Sequence, residues 1–560
     1  VSYVYRDDSF AGDRLNTPTG DYFDSPAFEE ETMGFTFGGP LIKDRLFFFA
    51  AYEEFSSSRN APEFGPIGSQ FTNVNITQAQ IDRAIAIAQT NYGMDVGTAE
   101  FPEGNELTVE DSLIKLDWNI TDAHRVSLRY NKTEQSEPIY YGFGIRSLSL
   151  SSHWTTQEKI FESVVGQLFS DWTENFSTEF KVARRDYDSV FNNNSRLPTI
   201  AIQFNNPAAA GTATGTTTLL MGTEQSRQFN QLNTKTTSAY FAGNLFVGDH
   251  ELKFGFDYDD NEIFNAFLQN TNGNYTFSCL ETITCANSFQ SGRPVSYTSQ
   301  QPRAGLTLLD GAAAWTNQNV GLFVQDTWSV NYNLTLMAGL RLDTPNVDDS
   351  PLYNAAADAA IIAGAGPYGR QTGGFGYDNS VTIDGKELLQ PRVGFNYTFD
   401  SDRQTQLRGG FGLFQGASAN VWLSNPYSNT GLATQIFSCS GTGSQACTTP
   451  IFSADPDLQP RPVATQPAAN VDIIDPGLEQ PAIWKANLAF EHELPFWGLV
   501  ASAELLLTKT ETGIFYEHLN LGEATRIGPD GRELYWSAGG YNPASWSATG
   551  SANVGSGVTS

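Results

Sequence analysis

The sequence predicts an all-β fold, namely a transmembrane antiparallel up-and-down β-barrel with long extracellular loops and one short loop helix. Three features predict it: segments of alternating apolar and polar residues, short turns that join these segments in pairs, and long polar stretches between the pairs. Outer-membrane barrels have this rhythm because short periplasmic turns alternate with long outer loops. A lipid core offers no water to unpaired backbone groups, so β-strands cross it only as a closed barrel.

The clearest hairpin turns near Asn331. One face of its second strand carries Leu334, Leu336, Ala338, Leu340 and Leu342, and the other carries Thr335, Met337, Gly339, Arg341 and Asp343. Successive side chains of a strand point to opposite faces, so this strand has an apolar side and a polar side.

Six further hairpins repeat the pattern. Their predicted turns, in chain order, are Gly38–Asp44, Thr121–His124, Thr173–Asn175, Gly248–Asp249, Asp400–Arg403 and Pro495–Gly498. The alternation is ambiguous in the first strand of the hairpin at 158–188, and the hairpin around Gly34–Glu53 is recognised partly by its turn. Together with a strand at Val1–Tyr5, the hairpins predict about 14–15 strands.

A soluble sheet is the alternative, because the half-buried strands of a sandwich alternate too. The predicted strands run roughly 9–13 residues, which is enough to cross a membrane at a tilt and longer than the usual ~5–6. Aromatic residues near strand ends also favour the barrel, since interfacial girdles lie there. These residues are Trp118, Trp172, Trp328, Trp484 and Trp497.

The composition agrees with a barrel in contact with outer-membrane lipid. The chain has 560 residues, 40% of them apolar, and a formal net charge of −30. No apolar run approaches the ~20 residues of a membrane helix, as expected where only every second residue meets lipid. Nucleic acid is not an expected partner, because binding it requires a basic surface.

One loop carries a helix signal. Thr77 and Gln80 form a capping box. Helical spacing then relates Ile81, Ala84, Ile85 and Ala88, up to Gly93. We expect a short helix that packs against its own loop.

The four cysteines form two local pairs, Cys279 with Cys285 and Cys439 with Cys447, both in long outer loops. Disulfides persist in oxidising compartments such as the cell surface, so each pair is expected to close its own loop. A four-thiolate zinc site is the alternative, but it would require two distant loops to meet and lacks the usual close spacing.

Catalytic, cofactor and metal motifs were sought and not found. The five histidines have no metal-ligand spacing, and there is no His-Glu-x-x-His or Gly-x-Ser-x-Gly. Acidic clusters at Asp257–Glu262 and Asp348–Asp349 lack the order of an EF-hand, so we interpret them as solvated loop ends. The sequence therefore predicts neither an enzyme nor a bound cofactor.

The polar sides of the strands supply the remaining candidate site residues. Those predicted to face the lumen are Lys115, Asp117, Arg129, Arg341, Arg392 and Arg408. On the alternation alone they are expected to form a generic polar interior.

Three segments carry a family resemblance. The hairpin Gly34–Glu53, with its Gly-Gly-Pro-x-x-Lys and Phe-Phe-Phe, resembles that of TonB-dependent outer-membrane receptors of the Oar-like kind. Phe323–Trp328 running to Gly339–Asp343, and Pro391–Phe395 running to Arg408–Gly412, are similar to the same family. The resemblance implies residence in the outer membrane of a Gram-negative bacterium and a barrel of roughly 22 strands occluded by an N-terminal plug.

The same resemblance implies a function. Residues 1–560 are expected to be an incomplete receptor barrel domain that lacks the plug and the C-terminal strands, and residues 550–560 to be a loop. The parent protein is expected to capture an unknown extracellular ligand, a large solute such as a peptide or protein, and to move it with energy from the TonB complex. A passive porin and a surface adhesin or structural receptor without transport are the alternatives.

Overall fold

A computed structural model describes most of residues 1–534. The residues outside the description are 11–13, 17–20, 24–27, 59–61, 70, 101–105, 363–371, 417–418, 441–446, 448, 463–469, 520–523, 525, 528–530 and 535–560. The loop predicted at residues 550–560 therefore lies outside the described residues.

A single antiparallel sheet of 15 strands forms the body of the molecule. Its strands are β1 Ser2–Asp7, β2 Glu29–Ile42, β3 Leu46–Ser57, β4 Leu107–Asn119, β5 His124–Ile139, β6 Thr155–Thr173, β7 Phe176–Asn193, β8 Phe229–Val247, β9 His250–Leu268, β10 Ala313–Asn331, β11 Leu334–Asn346, β12 Leu388–Thr398, β13 Thr405–Gln415, β14 Ala482–Glu493 and β15 Val500–Thr512. Spatial order follows chain order throughout, which is the up-and-down topology that the sequence predicts. Within the described residues β1 pairs only with β2 and β15 only with β14, so this sheet does not close.

The two faces of the sheet differ in the way that the alternation predicts. Large apolar side chains on one face are solvent-exposed in the isolated chain, among them Ile114, Leu128, Val164, Leu322, Leu340, Phe411, Leu488 and Leu505. Trp118, Trp172 and Trp328 are also exposed and stand at the short-turn end of their strands. A soluble sandwich would bury such a face against a second sheet, whereas a membrane barrel presents it to lipid.

Several predicted boundaries were wrong. Four strands, β6, β8, β9 and β10, reach 19 residues, because they continue past the lipid layer into water, where no change of pattern marks an end. The first hairpin turns only at Lys43–Arg45, since β2 continues through Pro40 to Ile42. The acidic cluster Asp257–Glu262 is part of β9 and does not form a loop end.

The long loops build a second sheet, which we call the surface sheet. Its strands in spatial order are Ser147–Ser149, Thr217–Met221, Thr199–Phe204, Asn274–Phe277, Ser296–Pro302 and Thr434–Ser440. These strands come from four different loops, so the surface sheet exists only because separate loops meet. With the helix α1, Gln78–Tyr92 from a fifth loop, it encloses an apolar core.

Helix α1 has the ends that its sequence predicts. Thr77 Oγ1 accepts a hydrogen bond from the Gln80 amide at 3.2 Å, the Gln80 side chain caps the Thr77 amide at 3.0 Å, and Gly93 ends the helix at φ 66°. The expectation that α1 packs against its own loop was confirmed, because Val74, Ile76, Met94 and Val96 of that loop lie in the same core. Its fully buried Ile81, Ala84 and Ala88 lie in the same core as residues of the surface sheet, which is contributed by other loops.

A smaller apolar cluster lies at the top of β10. The helix α3, Asn420–Ser428, packs there, with the Trp315 ring stacked 5.3 Å from Tyr427 and the Trp315 indole donating to Ser424 Oγ at 3.0 Å.

The remaining elements are short. They are the helix α2, Ala355–Asp358, 3₁₀ turns at Asp8–Phe10, Ser151–His153 and Leu308–Gly311, and strand pairs Arg14–Asn16/Asp21–Phe23, Phe64–Gly65/Thr72–Asn73, Ile361–Ile362/Thr372–Gly373 and Arg526–Ile527/Glu533–Leu534. No helix in the described part of the chain combines the length and the apolar character needed to cross a membrane.

Candidate functional site

The polar face of the sheet surrounds a cavity. Residues from the nine consecutive strands β1–β9 line a space of about 1180 Å³, so the sheet curves around its polar side. A second space of about 650 Å³ lies nearer the short turns, against β3–β7. We call this polar side the inner face.

Three of the predicted lumen residues lie together on the inner face. Lys115 is directly opposite Arg129 in the β4–β5 register, and both line the smaller cavity with Asp117. The Lys115 ammonium contacts the Asp117 carboxylate at 2.8 Å. The described residues contain no carboxylate within ion-pair distance of Arg129.

Arg341 lies at the centre of a hydrogen-bonded network on the part of the inner face that β9 to β12 form. Its guanidinium donates to both carboxylate oxygens of Asp257 at 2.5 and 2.8 Å and to both of Asp343 at 2.6 Å. Asp343 is buried and also accepts from the side chains of Asn319 and Gln390. Such bidentate pairs between Arg and carboxylates are strong and geometrically specific.

This network spans strands that are not neighbours, because Gly321 has no side chain. Asp257 is on β9 and Arg341 is on β11, while Gly321 stands between them on β10, opposite Asp257 and Asp343. A Cβ atom at Gly321 would lie 2.2 Å from Arg341 Nη2 and 2.8 Å from Asp257 Oδ1. The glycine therefore opens the path along which Arg341 crosses β10.

The other two predicted residues lie further around the sheet. The Arg392 guanidinium stacks 4.4 Å above the Phe414 ring and donates to Gln390 Oε1 at 3.3 Å, which joins it to the Arg341 network. Arg408 pairs with Glu491 at 2.8 Å. The six predicted residues thus form two separate groups and one isolated pair along the inner face, and not one site.

The surface sheet brings together parts of the chain that the sequence leaves far apart. Its strand Ser296–Pro302 pairs with Thr434–Ser440, which places Tyr297 opposite Cys439. The structure joins Cys279 to Cys285 at 2.00 Å and Cys439 to Cys447 at 2.01 Å. Each bridge remains within its own loop, although the two loops do meet.

Burial shifts the pKa values of several side chains in the long loops that form the surface sheet and α1. His153 is buried, its Nδ1 lies 2.7 Å from the Gly222 carbonyl oxygen, and desolvation lowers its pKa to about 4. Desolvation likewise raises the pKa of Tyr92 and of Tyr297 to about 12. These three groups are therefore uncharged at neutral pH and act as packing groups and hydrogen-bonding partners.

No set of three or more His, Cys, Asp or Glu side chains within the described ranges is placed to hold a metal ion. Asp349, from the second acidic cluster, instead accepts a hydrogen bond from the Thr316 amide at 2.9 Å.

Comparison with known proteins decides the family. A family model described as outer membrane beta barrel domain matches residues 1–67 and 56–520. The chain belongs to this family. The outer membrane barrel domain therefore resides in the outer membrane of a Gram-negative bacterium, with the apolar face of its sheet toward lipid.

Solved structures similar to this barrel domain have low sequence identity to it. The outer membrane transporter YddB from Escherichia coli aligns with a TM-score of 0.51 and 12% identity over 91% of this chain and 51% of that chain. The siderophore receptor PirA from Pseudomonas aeruginosa aligns with a TM-score of 0.43 and 10% identity over 91% of this chain and 56% of that chain. A mutant of the ferric enterobactin receptor PfeA from the same organism aligns with a TM-score of 0.42 and 12% identity over 86% of this chain and 51% of that chain. The chain thus spans about half the length of these proteins. No curated protein matched the sequence.

Sequence reasoning missed two groups of residues. The first is the network around Arg341, whose members Asp257 and Gln390 lie 84 and 49 residues from Arg341 and share no local pattern with it. The second is the cations Arg125 and Lys181, which line the smaller cavity beside Lys115. Strand alternation combined with the register of the hairpins places both cations on the polar side.

Proposed function

We propose that this chain is the barrel domain of a TonB-dependent receptor of the Oar-like kind. In this proposal the parent protein captures a large solute, such as a peptide or protein, and moves it through a plugged barrel of roughly 22 strands. Residues 1–560 are then part of that barrel, and the plug and the remaining strands belong to the parent. Energy comes from the TonB complex and acts on the plug.

One observation carries the proposal: five long loops fold together around one shared hydrophobic core above the barrel wall. Loops that served only as connections would need no shared core, and functional contacts concentrate on loops that a rigid scaffold holds in place. The core joins Ile81 of α1 to Ile200, Leu219, Phe277 and Phe437 of four strands of the surface sheet. A preformed surface of this kind suits the capture of a large and scarce solute.

The inner face is better suited to the passage of a polar solute than to a tightly packed barrel interior. Two cavities lie against it, and charged and polar side chains line both. The lumen-facing residues are proposed to contact the plug in the closed state and water or solute during transport.

Uptake by cells that express the full-length parent tests the proposal. We expect uptake of the cognate solute to stop when an uncoupler dissipates the proton-motive force, and to stop equally in a host without TonB. Uptake that continues unchanged under both conditions would identify a passive porin. Binding at the surface without any uptake would identify an adhesin or a receptor without transport.

A further inference from the structure

The inner face carries a local excess of positive charge in a strongly acidic protein. The smaller cavity is lined by four cations, Lys115, Arg125, Arg129 and Lys181, and by one carboxylate, Asp117. The whole chain has a formal net charge of −30, so this concentration runs against its overall composition.

Adjacent strands contribute these cations side by side. Lys115 on β4 is directly opposite Arg129 on β5, a pairing of like charges that is unfavourable unless an anion lies nearby. Lys181 on β7 is separated from β5 only by β6, whose Gln167 and Val165 stand between them. Asp117 neutralises Lys115 at 2.8 Å, which leaves the other three without a carboxylate partner in the described part of the chain.

Two of these cations are oriented by aromatic rings. The Arg125 guanidinium lies 4.6 Å from the centre of the Phe169 ring, and the Lys181 ammonium lies 5.3 Å from the centre of the Tyr240 ring. Stacking on a ring holds a cation while leaving its hydrogen-bond donors free for another ligand. The Arg341 network differs in this respect, because Asp257 and Asp343 already occupy its donors.

We propose that Arg125, Arg129 and Lys181 form an anion-binding site on the inner face, near the periplasmic end of the barrel. The site takes the phosphate or carboxylate groups of a solute that passes along the wall. A cleft whose lining has a net positive charge concentrates anions, and Arg pairs with phosphate and with carboxylate through two donors. This inference rests on the proposed passage of solute through the barrel and assigns the solute an anionic group.

Titration of the full-length parent protein in detergent micelles at low ionic strength tests the site. The probes are pyrophosphate, citrate and a tetraglutamate peptide, with binding followed by calorimetry. We expect pyrophosphate and citrate to bind, and the double variant Arg129→Gln/Lys181→Gln to weaken both at least about tenfold, which corresponds to ~1.4 kcal/mol. Added salt should weaken binding to the unaltered chain.

A matched variant controls for loss of charge. Arg408→Gln/Lys485→Gln removes two cations from the inner face of β13 and β14, outside the smaller cavity, and should leave binding within about twofold. Equal weakening by both double variants, or no weakening by the first, would overturn the site. Binding of the tetraglutamate peptide would also support the site, and failure of all three probes to bind would overturn it.

Two further comparisons distinguish loss of the anion site from misfolding and from failure of energised uptake. The far-ultraviolet circular dichroism of both double variants should match that of the unaltered chain, and the single variants Arg129→Lys and Lys181→Arg should retain binding because they keep the charge. Titration needs no membrane potential. Failure of the anion site would therefore leave the uptake experiment standing, and failure of energised uptake would leave the titration standing.

Discussion

At the scale of single residues, Gly321 shows how the absence of a side chain can organise a barrel wall. We expect Gly321→Val to displace Arg341 from Asp257 and to lower the free energy of unfolding by about 1–3 kcal/mol, because buried charged groups lose hydrogen bonds. Urea titration of the full-length parent folded in lipid vesicles measures the change. Gly39→Ala is the control, since a Cβ there meets no atom within 4 Å. An unchanged midpoint for Gly321→Val would contradict the role assigned to the glycine.

His153 gives the surface region a defined response to acid. Its folded pKa is about 4 and its ordinary value is 6.5, so the unfolded state binds the proton more readily between these limits. The stability that neutral His153 contributes is complete above pH 6.5 and is lost as the pH falls toward 4, by up to about 3 kcal/mol.

Hydrogen exchange of the surface sheet as a function of pH measures this effect. We expect local opening to increase between pH 6.5 and 4 in the unaltered chain, and His153→Gln to flatten that dependence. His518→Asn alters an exposed imidazole and should leave the profile unchanged. A profile for His153→Gln that matches the unaltered chain would show that another group titrates.

At the scale of elements, the pairing of the cysteines stays a prediction that chemistry can test. Peptide mapping without reduction should recover Cys279 linked to Cys285 and Cys439 linked to Cys447. The two bridges close segments with sequence separations of 6 and 8. Chain-entropy arguments give ~2–3 kcal/mol for each. We expect Cys439→Ser/Cys447→Ser to increase proteolysis of the Thr434–Ser440 strand. Cross-pairing between the two loops would contradict the assignment.

Elements whose signals are local were predictable, and those that depend on contacts between loops were not. The capping box at Thr77 and the glycine at Gly93 define α1 within a few residues of chain, and both ends agree with the prediction. Besides its own loop, α1 packs against segments far along the chain, such as the strand at Thr199–Phe204, more than a hundred residues after the helix ends. No local pattern encodes that meeting.

At the scale of the whole molecule, the outward apolar flank faces lipid. Leu322 lies on this flank between Phe256 and Leu342, and Gln325 lies on the inner face of the same strand. We expect Leu322→Arg to cost about 2–4 kcal/mol near the bilayer midplane. Gln325→Arg should cost much less, because its side chain meets the polar interior. Folding into lipid vesicles at graded urea concentrations compares the two, and equal costs would contradict the assignment of faces.

The sequence by itself determined the up-and-down sheet, the faces of those strands whose alternation is clear, and the membrane setting. The physical reason is that successive side chains of a strand point to opposite faces, so neighbouring residues alone reveal the two faces. A short turn between paired strands then fixes their register within a few positions. Lys115, Asp117 and Arg129 were therefore placed on the polar side from the alternation alone.

Only the tertiary structure decided which polar groups meet across strands and which loops share a core. The contact of Arg341 with Asp257 depends on three strands and one glycine, and the cation cluster depends on the stagger of β4 to β7. Contacts of this kind gain their free energy only after distant segments have been brought together. The sequence of each segment on its own therefore does not predict these contacts.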